Sequence, residues 1–425
     1  MKKILGLIAF IGLLIAAWLG SSFYSARTTG NYVTTLPELY KQNDYIHIKT
    51  IEHQQSAFSS TGKFEIRFPN FIPVSDGTST ALGLIIQYKI SNLLLLDSAG
   101  RIEWKMTGDE TIEKTLKQLF GQGPTMHGKG HISYSGQRQS TVELSELLFK
   151  DAQTSLKLSP LTGLATWDNQ SLKLKLKSDH LDARSKNIAT DWHGMSIDID
   201  LSDRNLGLGT YAFNIDKGAT DSSAFESMKM TKTVSLSDNR FNIAVAQKIK
   251  QYSYEKFKLS DVDLELALRG MDKDSLMTIS TIFRDTKDFN TLTSDERLQL
   301  SKALRELFNK GFSLGIPRLE TKIDGGSLNG SLNLEVLKSE GVPAPVFSSS
   351  QRLRAEGQVN LIGKGGLDNT QRTTALMLGM AVKTPEGLKT SFQFLNGVIK
   401  ANNKTFDIKE NLSYLDNLIN AALTQ

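Results

Sequence analysis

From Asp44 onward, apolar residues recur at every second position, and this period restricts the fold more than any other feature of the chain. An extended backbone sends successive side chains to opposite faces, so alternation describes a strand with one apolar and one wet face. Phe64, Ile66 and Phe68 alternate with Glu65 and Arg67, and Leu172, Leu174 and Leu176 with Lys173, Lys175 and Lys177. Ile197, Ile199 and Leu201 alternate with Asp198 and Asp200, and Val262, Leu264, Leu266 and Leu268 with Asp263 and Glu265. Leu328, Leu332, Leu334 and Val336 alternate with Asn329, Ser331, Asn333 and Glu335. Turn formers separate these runs: Asp168-Asn169, Ser202 to Asn205, Ser237-Asp238-Asn239, Asp324-Gly325-Gly326 and Asn396-Gly397. Strands joined by turns this short pair as antiparallel hairpins. The expected fold is mainly β with some α (α+β): an extended antiparallel sheet or meander with a few packing helices. Between Leu206 and Ile215 the apolar phase moves from even to odd positions around Gly207 and Gly209, which predicts a bulge. Ala165-Thr166-Trp167 before Leu172 is weakly echoed by Ala189-Thr190-Asp191-Trp192 before Ile197, one hairpin later.

Helical periodicity interrupts the strands. Thr107 to Gly121 carries a Thr107/Glu110 capping box, apolar Ile112, Leu116, Leu119 and Phe120, and a glycine stop. Thr293 to Gly311 repeats the design with Thr293/Glu296. Asn411 to Leu423 places Leu412, Leu415, Ile419 and Ala422 on one face, and Met271 to Phe283 is expected to be helical too. These helices are expected to cover sheet faces or ends. Gln122-Gly123-Pro124 and the stretch 339–350, with Gly341-Val342-Pro343-Ala344-Pro345, mark sub-boundaries within a body spanning 26–425.

The start of the chain has a different character. Lys2 and Lys3 precede Ile4 to Phe23, a run without charge. About 20 helical residues rise roughly 30 Å, enough to cross the hydrocarbon core of a bilayer. The lysines hold the short end in the cytoplasm, so residues 1–25 are expected to be a transmembrane anchor with the body on the far side. Cleavage as a signal peptide after Ser22 is the alternative, and a buried core helix is the third. The chain has no cysteine, which excludes disulfides, a lipid attached through cysteine, a thiolate metal site and a thiol nucleophile. Its 50 basic and 45 acidic residues are mixed along the sequence, unlike the clustered charge of a nucleic-acid binder.

A search for chemistry finds no constellation. Of six histidines, only His127 and His131 are close in sequence, within His127-Gly128-Lys129-Gly130-His131. Two ligands without an acidic third, around a repelling lysine, read as a glycine-rich turn and not as a metal site. Gly363-Lys364-Gly365-Gly366 lacks the strand and helix of a phosphate cradle and reads as a turn. Asp198 and Asp200 share a strand face, where alternating aspartates are usually solvated and not an acid/base pair. The Lys173, Lys175 and Lys177 stripe suits lipid headgroups or an anionic polymer, or simply a wet face kept free of edge pairing. Asn169-Gln170-Ser171 and Asn403-Lys404-Thr405 match the glycosylation triplet, a pattern short enough to arise by chance. No nucleophile elbow, Walker pattern or dinucleotide fingerprint occurs. No catalytic, cofactor-binding or metal-ligating residue is assigned, no cofactor is expected, and the chain is read as not an enzyme.

Four places carry a family resemblance. They are the basic start and single hydrophobic helix, with Tyr24 and then Leu36-Pro37-Glu38-Leu39; Phe58-Ser59-Ser60-Thr61-Gly62 leading into a strand; Leu264-Glu265-Leu266 through Arg269-Gly270-Met271-Asp272; and Phe392 to Ile399 with Asn402-Asn403 before the last helix. Through them the chain resembles the YdgA-like family of bacterial envelope proteins of unknown function. The resemblance implies a single-pass protein of the bacterial inner membrane with its body in the periplasm. Two readings of function follow. In one, amphipathic strands outnumber the helices able to cover them, and a sheet groove takes lipid or another hydrophobic envelope molecule. In the other, the sheet is covered and the protein is a scaffold or assembly partner for envelope proteins. Neither reading involves nucleic acid, and the oligomeric state is left open.

Overall fold

The computed structural model describes residues 37, 47–56, 58–73, 79–91, 98–109, 113, 125–150, 154–185, 188–255, 257–285, 292–323, 325–339, 347–363 and 367–424. The expected anchor (1–25), the break at 122–124 and most of the helix expected over 107–121 lie outside the described residues. Among the described residues no helix is long and apolar enough to cross a membrane. The chain divides into two compact units, residues 1–204 and 205–425.

The first unit is an antiparallel meander. Its strands are β1 (His47–Gln55), β2 (Ser59–Pro73), β3 (Ser79–Ser91), β4 (Gly100–Gly108), β5 (Met126–Ile132), β6 (Arg138–Leu144), β7 (Leu147–Lys150), β8 (Ser155–Leu158), β9 (Leu161–Trp167), β10 (Leu172–Ser185) and β11 (Ile188–Asp203). β1 to β6 pair in sequence, then β6 pairs with β9, and β10 and β11 follow. The β7–β8 hairpin pairs with the far half of β10, at Leu181 to Arg184. Asp168 shapes the β9–β10 turn, accepting the amides of Gln170 and Ser171 and the Ser171 hydroxyl. The Ser171 amide leads these bonds in holding the Asp168 carboxyl down at about 2.

Two expectations in this unit change. Thr107 does not cap a helix, because β3 extends far enough to pair it with Ile85 inside β4. The backbone turns two residues later, where the Glu113 amide donates to the Asp109 carbonyl at 2.7 Å. The stretch from His127 to His131 is strand β5 and not a turn. Its glycines stand where a Cβ has no room: Gly128 sits opposite Trp104, and a Cβ there would lie 2.6 Å from the indole nitrogen and 2.0 Å from the Thr141 carbonyl oxygen. Trp104 thus fills the space that a side chain at Gly128 would take, and donates to the Ser140 hydroxyl at 2.8 Å. Tyr88, Ile90 and Ile132 form the adjacent core with Phe64, Ile102 and Trp104.

The second unit holds β12 (Leu208–Thr220), β13 (Ser223–Ser237), β14 (Arg240–Tyr254), β15 (Phe257–Asp272), β16 (Phe312–Ile323), β17 (Gly326–Val336), β18 (Leu353–Gly363), β19 (Val382–Lys383), β20 (Gly387–Leu395), β21 (Val398–Ala401) and β22 (Lys404–Asp407). Neighbours pair antiparallel from β12 to β18, then β18 pairs with β20, and β21 and β22 complete the run. The expected bulge over 206–215 is instead a turn at residues 204–207, after which β12 pairs with β13 from Gly209 to Ala219 without a shift. Asp238-Asn239 and Asn396-Gly397 close hairpins with φ of 50°, 58°, 53° and 75°. Two consecutive left-handed residues twist with the strands, which explains the asparagine and glycine there.

Among the described residues five helices accompany this sheet: α1 (Lys273–Asp285), α2 (Ser294–Lys310), α3 (Ser349–Arg352), α4 (Asn369–Met377) and α5 (Leu412–Thr424). The Thr293/Glu296 capping box and the Gly311 cap of α2 form as the sequence requires. Leu307 of α2 and Leu276 and Ile279 of α1 pack on Val234, Phe241 and Met271. Leu304 and Phe308 of α2 join Leu423 of α5 and Phe347 around Val336. α4 brings Ala375 to Leu361 and Leu388 at the other end of the strands.

Candidate functional site

The register of the second unit puts its apolar side chains on one face. Met230 sits opposite Gln247, Val245 opposite Leu266, Leu268 opposite Leu314, Ile316 opposite Leu332, and Leu332 opposite Gly357. The bulges in β15 and β16 preserve this alignment, since Leu264 still meets Leu319 and Leu319 still meets Gly330. α1, α2 and α5 cover one end of this face and α4 the other. Between them lies an open band: Met230, Leu266, Leu314, Leu332 and Val359 are 44, 42, 50, 37 and 39 % exposed, one on each of β13, β15, β16, β17 and β18. A contiguous apolar patch on a folded surface marks a site of contact with lipid or another apolar partner.

The opposite face is polar. Lys248 and Arg318 reach Asp263 at 3.1 and 3.2 Å, and Asn360 donates to Asn329 at 2.9 Å. Burial opposes ionisation of Asp263, but the hydrogen bonds from Lys248 and Arg318 outweigh it and keep the carboxyl below its usual range. Recesses of about 670 and 560 Å³ lie on this side, lined by residues such as Arg269, Asn333, Glu356 and Gln358 in one and Arg318, Glu320, Lys322 and Asn329 in the other. Leu332 of the apolar band also lines the first of these recesses.

The residues singled out in the sequence fall as follows. His127 and His131 share the wet face of β5, four residues or about 13 Å apart along the strand. His127 lies 3.4 Å from Glu143. Asp200 and Asp198 pair with Lys173 at 3.0 Å and Lys175 at 3.6 Å, so the aspartates and two of the lysines form a cross-strand ladder on an exposed face. Gly363 ends β18 with a φ of 68°, and residues 364–366 lie outside the described residues.

One grouping escaped the linear reading. β10 and β11 set His180 directly opposite His193, with Asp191 two residues before His193 on the same strand. His180 Nε2 and His193 Nε2 lie 2.8 and 2.9 Å from the same Asp191 oxygen. The two rings stack 4.3 Å apart. The hairpin echo around residues 165–197 was the available signal, because folding that segment back brings histidines thirteen positions apart face to face.

The family model described as "Bacterial protein of unknown function (DUF945)" matches residues 1–364. No curated protein and no solved structure matches the chain.

Proposed function

The chain belongs to the DUF945 family of bacterial proteins of unknown function, and from that premise we propose that it is a membrane-anchored envelope protein whose open sheet band takes up lipid acyl chains. Residues 1–25 hold it in the inner membrane, and the body lies in the periplasm, as the YdgA-like resemblance suggests. In this reading the protein is a binder and not an enzyme.

The supporting observation is the band itself: five exposed apolar side chains on five strands, bounded by helix-covered ends. Each methylene laid against such a surface contributes up to about 0.8 kcal/mol, in proportion to the area it buries. Partial contact along one chain therefore suffices for reversible binding. A bilayer tether raises the concentration of lipid that the body meets.

The double variant L266E/L314E tests the proposal. Both side chains are substantially exposed, so stability should change by no more than about 0.5 kcal/mol per site. Cells fed a photoactivatable fatty acid should yield lipid adducts on body peptides of the full-length wild type and lose them in the double variant. Equal adducts in both proteins, or none on body peptides of the wild type, would contradict the proposal.

A further inference from the structure

We propose that His180, His193 and Asp191 form a surface site for one divalent transition-metal ion of the zinc–copper class. Directly opposed residues on antiparallel strands have Cβ atoms about 5 Å apart, and the i, i+2 neighbour lies on the same face. Two histidines and an aspartate in those positions converge on one point without help from a loop. Here the three ligand atoms all lie within 4.8 Å of one another. Nitrogen and oxygen ligands bind zinc at about 2.0 to 2.2 Å, which sets tetrahedral ligand separations near 3.3 Å. The observed 2.8 and 2.9 Å contacts to Asp191 are slightly tighter, so small side-chain rotations would admit an ion.

Chemistry favours the same class. Two imidazoles and a carboxylate suit zinc, copper(II) or nickel, and suit magnesium or calcium poorly. Three protein ligands leave one position for water. The entering ion takes the place of any proton on either Nε2, each neutral ring then carrying its proton on Nδ1. Arg184, the nearby cation, is engaged with Asp182 at 3.0 and 3.3 Å. The site also breaks the local pattern. Along β10, Leu172, Leu174 and Leu176 pair with Leu201, Ile199 and Ile197, and the same register then sets His180 against His193 and Asp182 against Asp191.

The test is calorimetric titration of the metal-free, full-length protein with zinc chloride and with copper sulfate. One ion per chain is expected for each, copper binding more tightly. H180A and H193A should each weaken binding at least tenfold, since loss of an outer-shell partner alone costs about that much. H127A/H131A should bind as the wild type does. For copper, the paramagnetic resonance spectrum should show coupling to two imidazole nitrogens, reduced to one in either single variant. Both substituted rings are partly exposed on a sheet surface, so circular dichroism should be unchanged. No binding of either ion, or undiminished binding by H180A/H193A, would overturn the proposal.

Discussion

Replacing Asp272 by alanine is expected to destabilise the second unit by about 2–3 kcal/mol, measured as a lowered urea midpoint. Asp272 is only 2 % exposed and ends β15 where α1 begins. Its carboxylate accepts the Ser275 amide at 3.0 Å, the Ser275 hydroxyl at 2.7 Å and the Lys310 ammonium at 2.7 Å. One side chain therefore caps the first turn of α1 and ties it to the last residue of α2. Alanine leaves a buried amide without its partner, which accounts for most of the loss. Lys310 can still turn to Glu306, 3.2 Å away, and to water, so the ion pair adds less than a fully buried one would. Burial works against ionisation of Asp272, yet the hydrogen bonds from Lys310 and Ser275 win and lower its pKa. A depressed carboxylate stabilises the fold fully above the ordinary value of 3.8, and that share is lost as pH falls through the lowered folded value. The wild-type midpoint should therefore drop in acid, and the difference from D272A should shrink there. A constant difference from pH 7 down to pH 2 would contradict this assignment.

Arg240→Ala is expected to cost about 3 kcal/mol, because one guanidinium serves three backbone carbonyls at a junction. It donates to Gly270 at 3.0 Å, Gly311 at 3.1 Å and Lys310 at 2.9 Å. Lys310 carries the last carbonyl of α2, which lacks an intrahelical donor and lies at the negative end of the helix dipole, and Gly311 is the cap that follows it. Arg352 does similar work one turn earlier, donating to the Phe308 and Leu337 carbonyls. Lysine has the charge but not the fork, so R240K should recover less than half of the lost stability. Equal stability of R240K and the wild type would show that charge alone suffices.

Both clamps hold α2 over one end of the sheet, and thereby set where the apolar band begins. This explains what the sequence could and could not show. Alternation placed the strands around Phe64, Leu174, Ile199, Leu266 and Leu334, because one residue's period suffices to assign a face. The α2 caps were equally local: Thr293, Glu296 and Gly311 lie within a turn of what they cap. The capping box of α4, Asp368 with Gln371, is just as local. Other features depended on partners far along the chain. Strand β5 looked like a turn until Trp104, on the neighbouring strand, occupied the space beside Gly128. His180 and His193 met only through hairpin register. The open band arises where helices from three separate segments stop short of one another, a boundary that no single window contains.

Leu266 and Glu265 are sequence neighbours on opposite faces of β15, and the band separates them chemically. A photocrosslinking amino acid placed at each position in turn, in the full-length protein in living cells, tests the account most directly. Lipid adducts at 266, and again at 332, with none at 265, are the result it predicts. Equal lipid capture at 265 and 266, or adducts at 266 that are protein alone, would contradict it and favour an assembly partner seated on the sheet.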